Sequence, residues 1–163
     1  HAAQRMAIET DAGYGNASPR AGLAGMGLAR AIAMLSYRSY ADLERKAAQG
    51  GEDRNEESYL RHVGQRLMER FDAASYHLLT RVMDSHACGA ADGLTPEQAL
   101  QRIQARSLVV SIDSDLLFPP QEQAFIARNL ANASLQQLHS PYGHDAFLIE
   151  FATLNSIIQS FLS

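Results

Sequence analysis

A short and nearly continuous run of apolar residues places the strongest constraint on how this chain can fold. Residues 107–112 read Ser-Leu-Val-Val-Ser-Ile, and such β-branched runs are typical of a strand buried on both faces of a parallel sheet. A loop, a helix over about residues 121–130, a second strand over residues 134–139, another loop and a closing helix through residue 161 follow. This order predicts an α/β segment, although two strands are too few for a complete parallel sheet.

The preceding half of the chain predicts helices. Leu28, Ile32 and Leu35 recur at helical spacing between about residues 21 and 38, which predicts a helix that carries them on one face. After a polar, glycine-containing break at residues 49–53, two helices are predicted over residues 59–71 and 72–86, with Asp72 as the N-cap of the second.

A further helix start is predicted from local capping chemistry. Thr95 is placed as the N-cap, Pro96 at the first helical position and Gln98 at the capping-box position. We therefore divide the chain into a loop and helix lead-in at residues 1–20, a helical region at residues 21–104 and an α/β segment at residues 105–163.

Charge and composition exclude several classes of partner. The formal net charge is −4 and 46% of residues are apolar, which gives no electrostatic basis for nucleic-acid binding. The apolar runs are too short to span a bilayer, so we expect no membrane partner. A single cysteine excludes an internal disulfide framework and fits a reducing compartment. The chain starts at His1 rather than Met, which predicts a piece of something longer.

Two polar residues that follow the predicted strands are candidates for catalysis. Asp115 lies just past the first strand and His144 just past the second, and catalytic groups of open α/β sheets lie beyond the carboxyl ends of strands. The order acid then histidine matches the last two members of a Ser…Asp…His triad. A turn or cap role for the aspartate stays open, as does Asp113, although the spacing to Pro119 favours Asp115.

The sequence contains no matching nucleophile. The elbow pattern Gly-x-Ser-x-Gly occurs nowhere in the 163 residues. Cys88 is a candidate only by elimination, and a small, partly buried apolar role is the better interpretation. Asp84 and His86 near Cys88 do not complete a credible ligand spacing, so we predict no metal site.

Arg30 and Tyr37 form a third candidate group. They are seven residues apart, which places them on one helix face, two turns apart. An arginine can hold a substrate carboxylate with two parallel hydrogen bonds, and a tyrosine hydroxyl can add a third. A solvated arginine and a half-buried packing tyrosine are the alternative.

Together, these segments resemble the homoserine O-acetyltransferase family of the α/β-hydrolase superfamily, in order and almost from end to end. The residues that carry the resemblance are Gly27–Ala33, Leu35–Ser39, Ser58–Leu60, Arg70–Ala73, Met83–His86, Ser114–Pro119, Glu122–Gln123 and Tyr142–Glu150. The Gly-His-Asp-x-Phe-Leu run from Gly143 is the most specific of them. The stretch Ala87–Ala91 departs from the family pattern.

The resemblance implies the C-terminal part of an α/β-hydrolase fold with a helical lid, predominantly helical with about two strands. It also implies transfer of an acetyl group from acetyl-CoA to the hydroxyl of L-homoserine through an acylated serine, a step toward methionine. Asp115 would orient His144, and His144 would be the general base. Arg30 and Tyr37 would bind the homoserine carboxylate and Asp145 its ammonium group.

The same resemblance implies a cytoplasmic homodimer that pairs through the lid helices and uses acetyl-CoA as co-substrate, with no cofactor. Because the nucleophilic serine is missing from this sequence, we predict that the 163-residue chain alone has no transferase turnover. Three alternatives stay open: a related enzyme that uses succinyl-CoA or serine, a different esterase or lipase, and a non-catalytic helical interaction module.

Overall fold

The computed structural model describes residues 1–50 and 55–163. Two strands and eight α-helices lie in this part of the chain, with short 3-10 turns at Ala90–Asp92 and Gly143–Leu148. The helices are α1 (Ala2–Glu9), α2 (Leu23–Tyr37), α3 (Tyr40–Gly50), α4 (Glu56–Met68), α5 (Ala73–Ser85), α6 (Pro96–Gln101), α7 (Pro120–Asn129) and α8 (Phe151–Leu162). The strands are β1 (Ser107–Ile112) and β2 (Ala133–Leu138). None of the described helices is both long enough and apolar enough to cross a bilayer.

The chain divides into two compact units. The first contains residues 1–36 and 43–86, and the second contains residues 37–42 and 87–163. The segment 37–42, which spans the end of α2 and the start of α3, therefore belongs to the unit that contains the strands.

Small residues build the core of the first unit. Ala29 on α2 and Ala7 on α1 are buried there beside Ile8 and Met26. The backbones of α2 and α4 approach closely at two glycines, because a Cβ on Gly64 would lie 2.6 Å from the carbonyl oxygen of Gly27. Only a residue without a side chain allows this approach.

The helix predicted between about residues 21 and 38 is confirmed as α2, and its most buried residues are small ones. Leu28 and Leu35, which were expected to share an apolar face, are each 55% exposed. The buried positions are instead Ala29 and Ala33 together with Met26, because the close helix contacts of this unit admit small side chains.

The local capping predictions are confirmed. The carboxylate of Asp72 accepts a hydrogen bond from the backbone N–H of Ser75 at 2.8 Å and caps α5. Thr95 and Gln98 make the reciprocal bonds of a capping box at the start of α6. Sequence patterns missed α3, which runs through Gly50 and so covers the start of the predicted break. The rest of that break, residues 51–53, lies outside the described residues.

The second unit is organised by the parallel pair β1 and β2. The register aligns Ser107 with Ala133 and Ile112 with Leu138, and α7 connects the two strands. Every residue of β1 is buried or half-buried, as its composition predicts. β2 is exposed at each position except Leu138, which packs with Ile112 and Ala146 in the core of this unit. The aligned strand ends bring the two following loops to one edge of the sheet.

Candidate active site

The loop after β1 holds the carboxylate of Asp115 in one orientation. Its Oδ1 accepts hydrogen bonds from the backbone N–H groups of Leu117 at 2.8 Å and Phe118 at 3.0 Å. The residue is 5% exposed. A buried carboxylate must have its oxygens bonded, and these two donors leave Oδ2 directed to a different partner.

That partner is His144. Its Nδ1 lies 2.8 Å from Oδ2 of Asp115. An ionised carboxylate only accepts hydrogen bonds, so Nδ1 carries the proton and Nε2 is left as the basic nitrogen. The structure therefore brings together the two residues that the sequence singles out, in the arrangement that a general base requires.

Tight backbone contacts fix the loop that carries His144. Gly143 has φ of 66°, and a Cβ at this position would lie 2.6 Å from the backbone nitrogen of Ser39. The N–H of Gly143 also donates to Oγ of Ser114 at 3.0 Å, and that hydroxyl donates to the carbonyl of Ser140. Glycine is required here both for its conformation and for space.

Aromatic rings surround the imidazole of His144. The ring centroids of Phe118, Phe147 and Tyr37 lie 5.1, 5.4 and 5.5 Å from that of His144. A cavity of about 220 Å³ opens beside this histidine and Asp115, and apolar side chains form most of its wall. Such walls strengthen electrostatic interactions by keeping water away from Asp115 and His144.

A second carboxylate–imidazole pair lies at the same edge of the sheet. Oδ2 of Asp113 is 2.9 Å from Nδ1 of His139, and its Oδ1 accepts from the N–H of Ser140 at 3.1 Å. The Ser140 N–H, and then His139, lower the pKa of Asp113 below its ordinary value. Both side chains are far more exposed than Asp115, so this pair ties the two strand ends together at the surface.

The predicted acceptor-binding residues fall in different places. Arg30 is half-buried on α2 in the first unit, and Tyr37 is the last residue of that helix and belongs to the second. Asp145 follows the histidine directly and lies 3.1 Å, Oδ2 to Nε, from Arg38. Sequence reasoning missed Arg38, which lies between α2 and α3, although its spacing of four residues from Asp42 could have indicated an ion pair.

The remaining candidates do not form a site. Asp84 is held by His1 and Arg5, each at 2.6 Å, on the surface of the first unit. Cys88 is exposed in the second unit. Among the described residues no group of at least three His, Cys, Asp or Glu side chains could hold a metal ion.

Sequence comparison finds relatives that align with nearly the whole chain. No family model matches the chain. However, 97% of the chain aligns with the homoserine O-acetyltransferase of Cyclobacterium marinum at 42% identity, and 96% aligns with that of Nostoc punctiforme at 44% identity. The chain is therefore similar to homoserine O-acetyltransferases over the part of these relatives that it spans. The aligned region covers 46% and 47% of the two relatives, so the chain spans about half their length.

Structural comparison shows which fold the chain is part of. The chain superimposes on the crystal structure of a homoserine O-acetyltransferase from Bacillus anthracis with a TM-score of 0.81 at 19% identity, covering 99% of this chain and 48% of that one. An acetylester hydrolase from Corynebacterium glutamicum gives a TM-score of 0.72 at 20% identity over 88% and 42% of the two chains. The architecture is that of part of an α/β-hydrolase fold, as the sequence predicts.

Proposed function

We propose that this chain supplies the acid and the base of a Ser–His–Asp triad in a homoserine O-acetyltransferase. The observation that carries the proposal is the 2.8 Å contact between the buried carboxylate of Asp115 and Nδ1 of His144. In the proposed enzyme the nucleophilic serine lies outside these 163 residues, since the sequence contains no Gly-x-Ser-x-Gly elbow. The enzyme that joins the chain to that serine is called the complete enzyme below.

The proposed reaction has two half-reactions. In the first, Nε2 of His144 takes the serine proton while the serine oxygen attacks the thioester carbonyl of acetyl-CoA. The proton then passes to the departing thiolate, so CoA leaves as a free thiol. In the second, Nε2 takes the proton of the homoserine hydroxyl, which attacks the acyl-serine ester, and the proton returns to the serine. Asp115 stabilises the imidazolium that forms in each half-reaction.

The acceptor site is proposed from residue chemistry. Arg30 and Tyr37 would hold the homoserine carboxylate, because a guanidinium and a phenol both donate hydrogen bonds. Asp145 would attract the ammonium group, since its carboxylate is adjacent in sequence to the base. Acetyl-CoA as donor, methionine biosynthesis as the pathway and the cytoplasm as the location belong to the same proposal.

The proposal includes a homodimer formed through the helical region. In the first unit, α5 exposes four large apolar side chains, Leu78, Leu79, Val82 and Met83. An exposed apolar patch of this kind on a helix is characteristic of an association surface.

A direct assay tests the proposed function. The complete enzyme should release free CoA from acetyl-CoA in a manner that depends on L-homoserine, and His144→Asn should abolish this release. The isolated 163-residue chain should give none. Turnover by the isolated chain, or full activity of His144→Asn, would refute the assigned roles.

An acetylesterase, in which water is the acceptor, is the second candidate. The structural likeness to the Corynebacterium acetylester hydrolase favours it, and the same acid–base pair would activate the water. Hydrolysis of acetyl esters without any homoserine-dependent CoA release would select this function. Succinyl-CoA as donor and L-serine as acceptor are tested by substituting them in the same assay.

A further inference from the structure

The segment that joins α2 to α3 is packed onto the loop that carries His144. The hydroxyl of Ser39 donates a hydrogen bond to the carbonyl of Pro141, and Ser39 is 7% exposed. Gly143 lies directly against the backbone of Arg38 and Ser39. These residues all belong to the second unit, so the contacts are internal to it.

Arg38 forms ion pairs with two carboxylates from opposite sides of this contact. Its Nη1 lies 3.0 Å from Oδ2 of Asp42, and its Nε lies 3.1 Å from Oδ2 of Asp145. Asp42 is fully buried, and the side chains of Arg38 and Asp145 are 14% and 15% exposed. Charges in such surroundings are stable only when they are paired.

Asp42, Arg38 and Asp145 form a network that begins at the first turn of α3 and ends at the proposed acceptor site. The backbone N–H of Asp42 donates to Oγ of Ser39 at 3.1 Å, which fixes Asp42 at the start of α3. Asp145 is the residue after the base and the proposed ligand of the substrate ammonium. The guanidinium of Arg38 donates a hydrogen bond to Asp42 and lies within ion-pair distance of Asp145. Its charge therefore links the position of the Asp145 carboxylate to that of Asp42.

We propose that Arg38 is a positioning residue that holds the Asp145 carboxylate in place for the amino-acid acceptor, with Asp42 as its buried anchor. This inference rests on the proposed function, because it takes Asp145 as the group that binds the ammonium. Lysine cannot replace arginine fully, since a single ammonium has no fixed fork with which to bridge the two carboxylates.

The test uses the complete enzyme with the double variant Arg38→Met/Asp42→Asn and the single variant Arg38→Lys. The double variant removes both charges of the Arg38–Asp42 pair together, which avoids an unpaired carboxylate at the fully buried Asp42. Arg61→Met is the matched control, because Arg61 also pairs with a carboxylate four residues away, Glu57, but on the surface. Each protein is assayed with L-homoserine, with 4-hydroxybutyrate, which lacks the ammonium group, and with p-nitrophenyl acetate.

We expect the double variant to raise the KM for L-homoserine by about 10- to 100-fold, as a small misplacement of a binding group does. The KM for 4-hydroxybutyrate and the rate of p-nitrophenyl acetate hydrolysis should stay unchanged. Arg38→Lys should fall between the double variant and the unaltered enzyme, and Arg61→Met should match the unaltered enzyme.

Three results would overturn this assignment. An unchanged KM for homoserine in the double variant would show that Arg38 does not position Asp145. Equal losses with homoserine, 4-hydroxybutyrate and the ester would show that Arg38 only maintains the loop structure. Absence of homoserine-dependent CoA release from the unaltered enzyme would refute the proposed function first, and the role of Arg38 with it.

Discussion

Asp113 and His139 pair at 2.9 Å, in the same loops as the pair that Asp115 and His144 form at 2.8 Å. The two pairs differ in their exposure to water. The side chain of His139 is 75% exposed, whereas that of Asp115 is 5% exposed. Water and salt screen an exposed pair and weaken it. The two aspartates therefore provide a matched comparison of which carboxylate supports the base.

Asp115→Asn in the complete enzyme should lower kcat by about four orders of magnitude, because an amide stabilises the wrong tautomer of the histidine and cannot stabilise its cation. Asp113→Asn should leave kcat unchanged. The measurement is the initial rate of CoA release at saturating homoserine. Similar losses in the two variants would contradict the assignment of Asp115 as the orienting acid.

Arg30→Ala and Asp145→Ala should each raise the KM for homoserine by about one to two orders of magnitude, because each removes a charge-assisted hydrogen bond to the acceptor. Hydrolysis of p-nitrophenyl acetate should be retained, since this reaction needs no amino-acid acceptor. Steady-state kinetics with both substrates check this. Acceptor kinetics that do not change would count against these two residues.

Acid should destabilise the fold through three aspartates whose pKa is lowered in the folded state. The largest cause in each is a backbone N–H, from Gly25 to Asp11, from Ser75 to Asp72 and from Ser140 to Asp113. A lowered folded pKa gives stabilisation that is complete above the unfolded value of about 3.9. It is lost as the pH falls through the folded pKa.

Urea unfolding at pH 7 and at pH 3 measures this effect. The triple variant with asparagine at the three positions should lose less unfolding free energy between these pH values than the unaltered chain does. Asp92→Asn, which changes an exposed residue paired with Arg102, is the control. An identical pH dependence for the triple variant and the unaltered chain would refute the assignment.

Gly64→Ala should destabilise the chain by about 1–3 kcal/mol, because the added methyl group would press on the backbone of α2. The predicted Cβ position is only 2.6 Å from the carbonyl oxygen of Gly27. Gln65→Ala changes the exposed neighbouring residue on α4 and should be nearly neutral. Thermal unfolding followed by circular dichroism compares the two, and a stabilised Gly64→Ala variant would disprove the close contact.

Val82→Glu should shift the complete enzyme from dimer to monomer, since a charge would be buried in an apolar contact. Arg81→Glu, next to it on α5 and also exposed, should leave the dimer intact. Analytical ultracentrifugation gives the mass of each. A dimer of unchanged affinity in Val82→Glu would place the interface elsewhere.

The features that sequence predicted well depend on neighbouring residues. The capping box of Thr95 and Gln98 and the N-cap at Asp72 are formed by residues three positions apart, so their bonds follow from local backbone geometry. The proximity of Asp115 and His144 could be predicted because strand ends set their positions, and the structure places Asp115 rather than Asp113 against His144. Their catalytic roles stay a prediction.

The features that sequence failed to predict depend on distant contacts. The apolar spacing on α2 pointed to Leu28, Ile32 and Leu35, but the residues buried beside the close approach of Gly27 and Gly64 are small ones. No local pattern reveals that approach. The contact of Arg38 with Asp145 has no local signal either, because the two residues lie more than a hundred positions apart along the chain.

The ladder between β1 and β2 has a consequence for the chemistry. Asp115 and His144 each follow a strand at a fixed distance along the chain, and the alignment of Ile112 with Leu138 sets where both loops begin. A slip of one residue would move one loop by about 3.3 Å along the sheet and turn Leu138 out of the core. The strand register thus sets the distance between the proposed acid and the proposed base, and a shift of one residue would separate them.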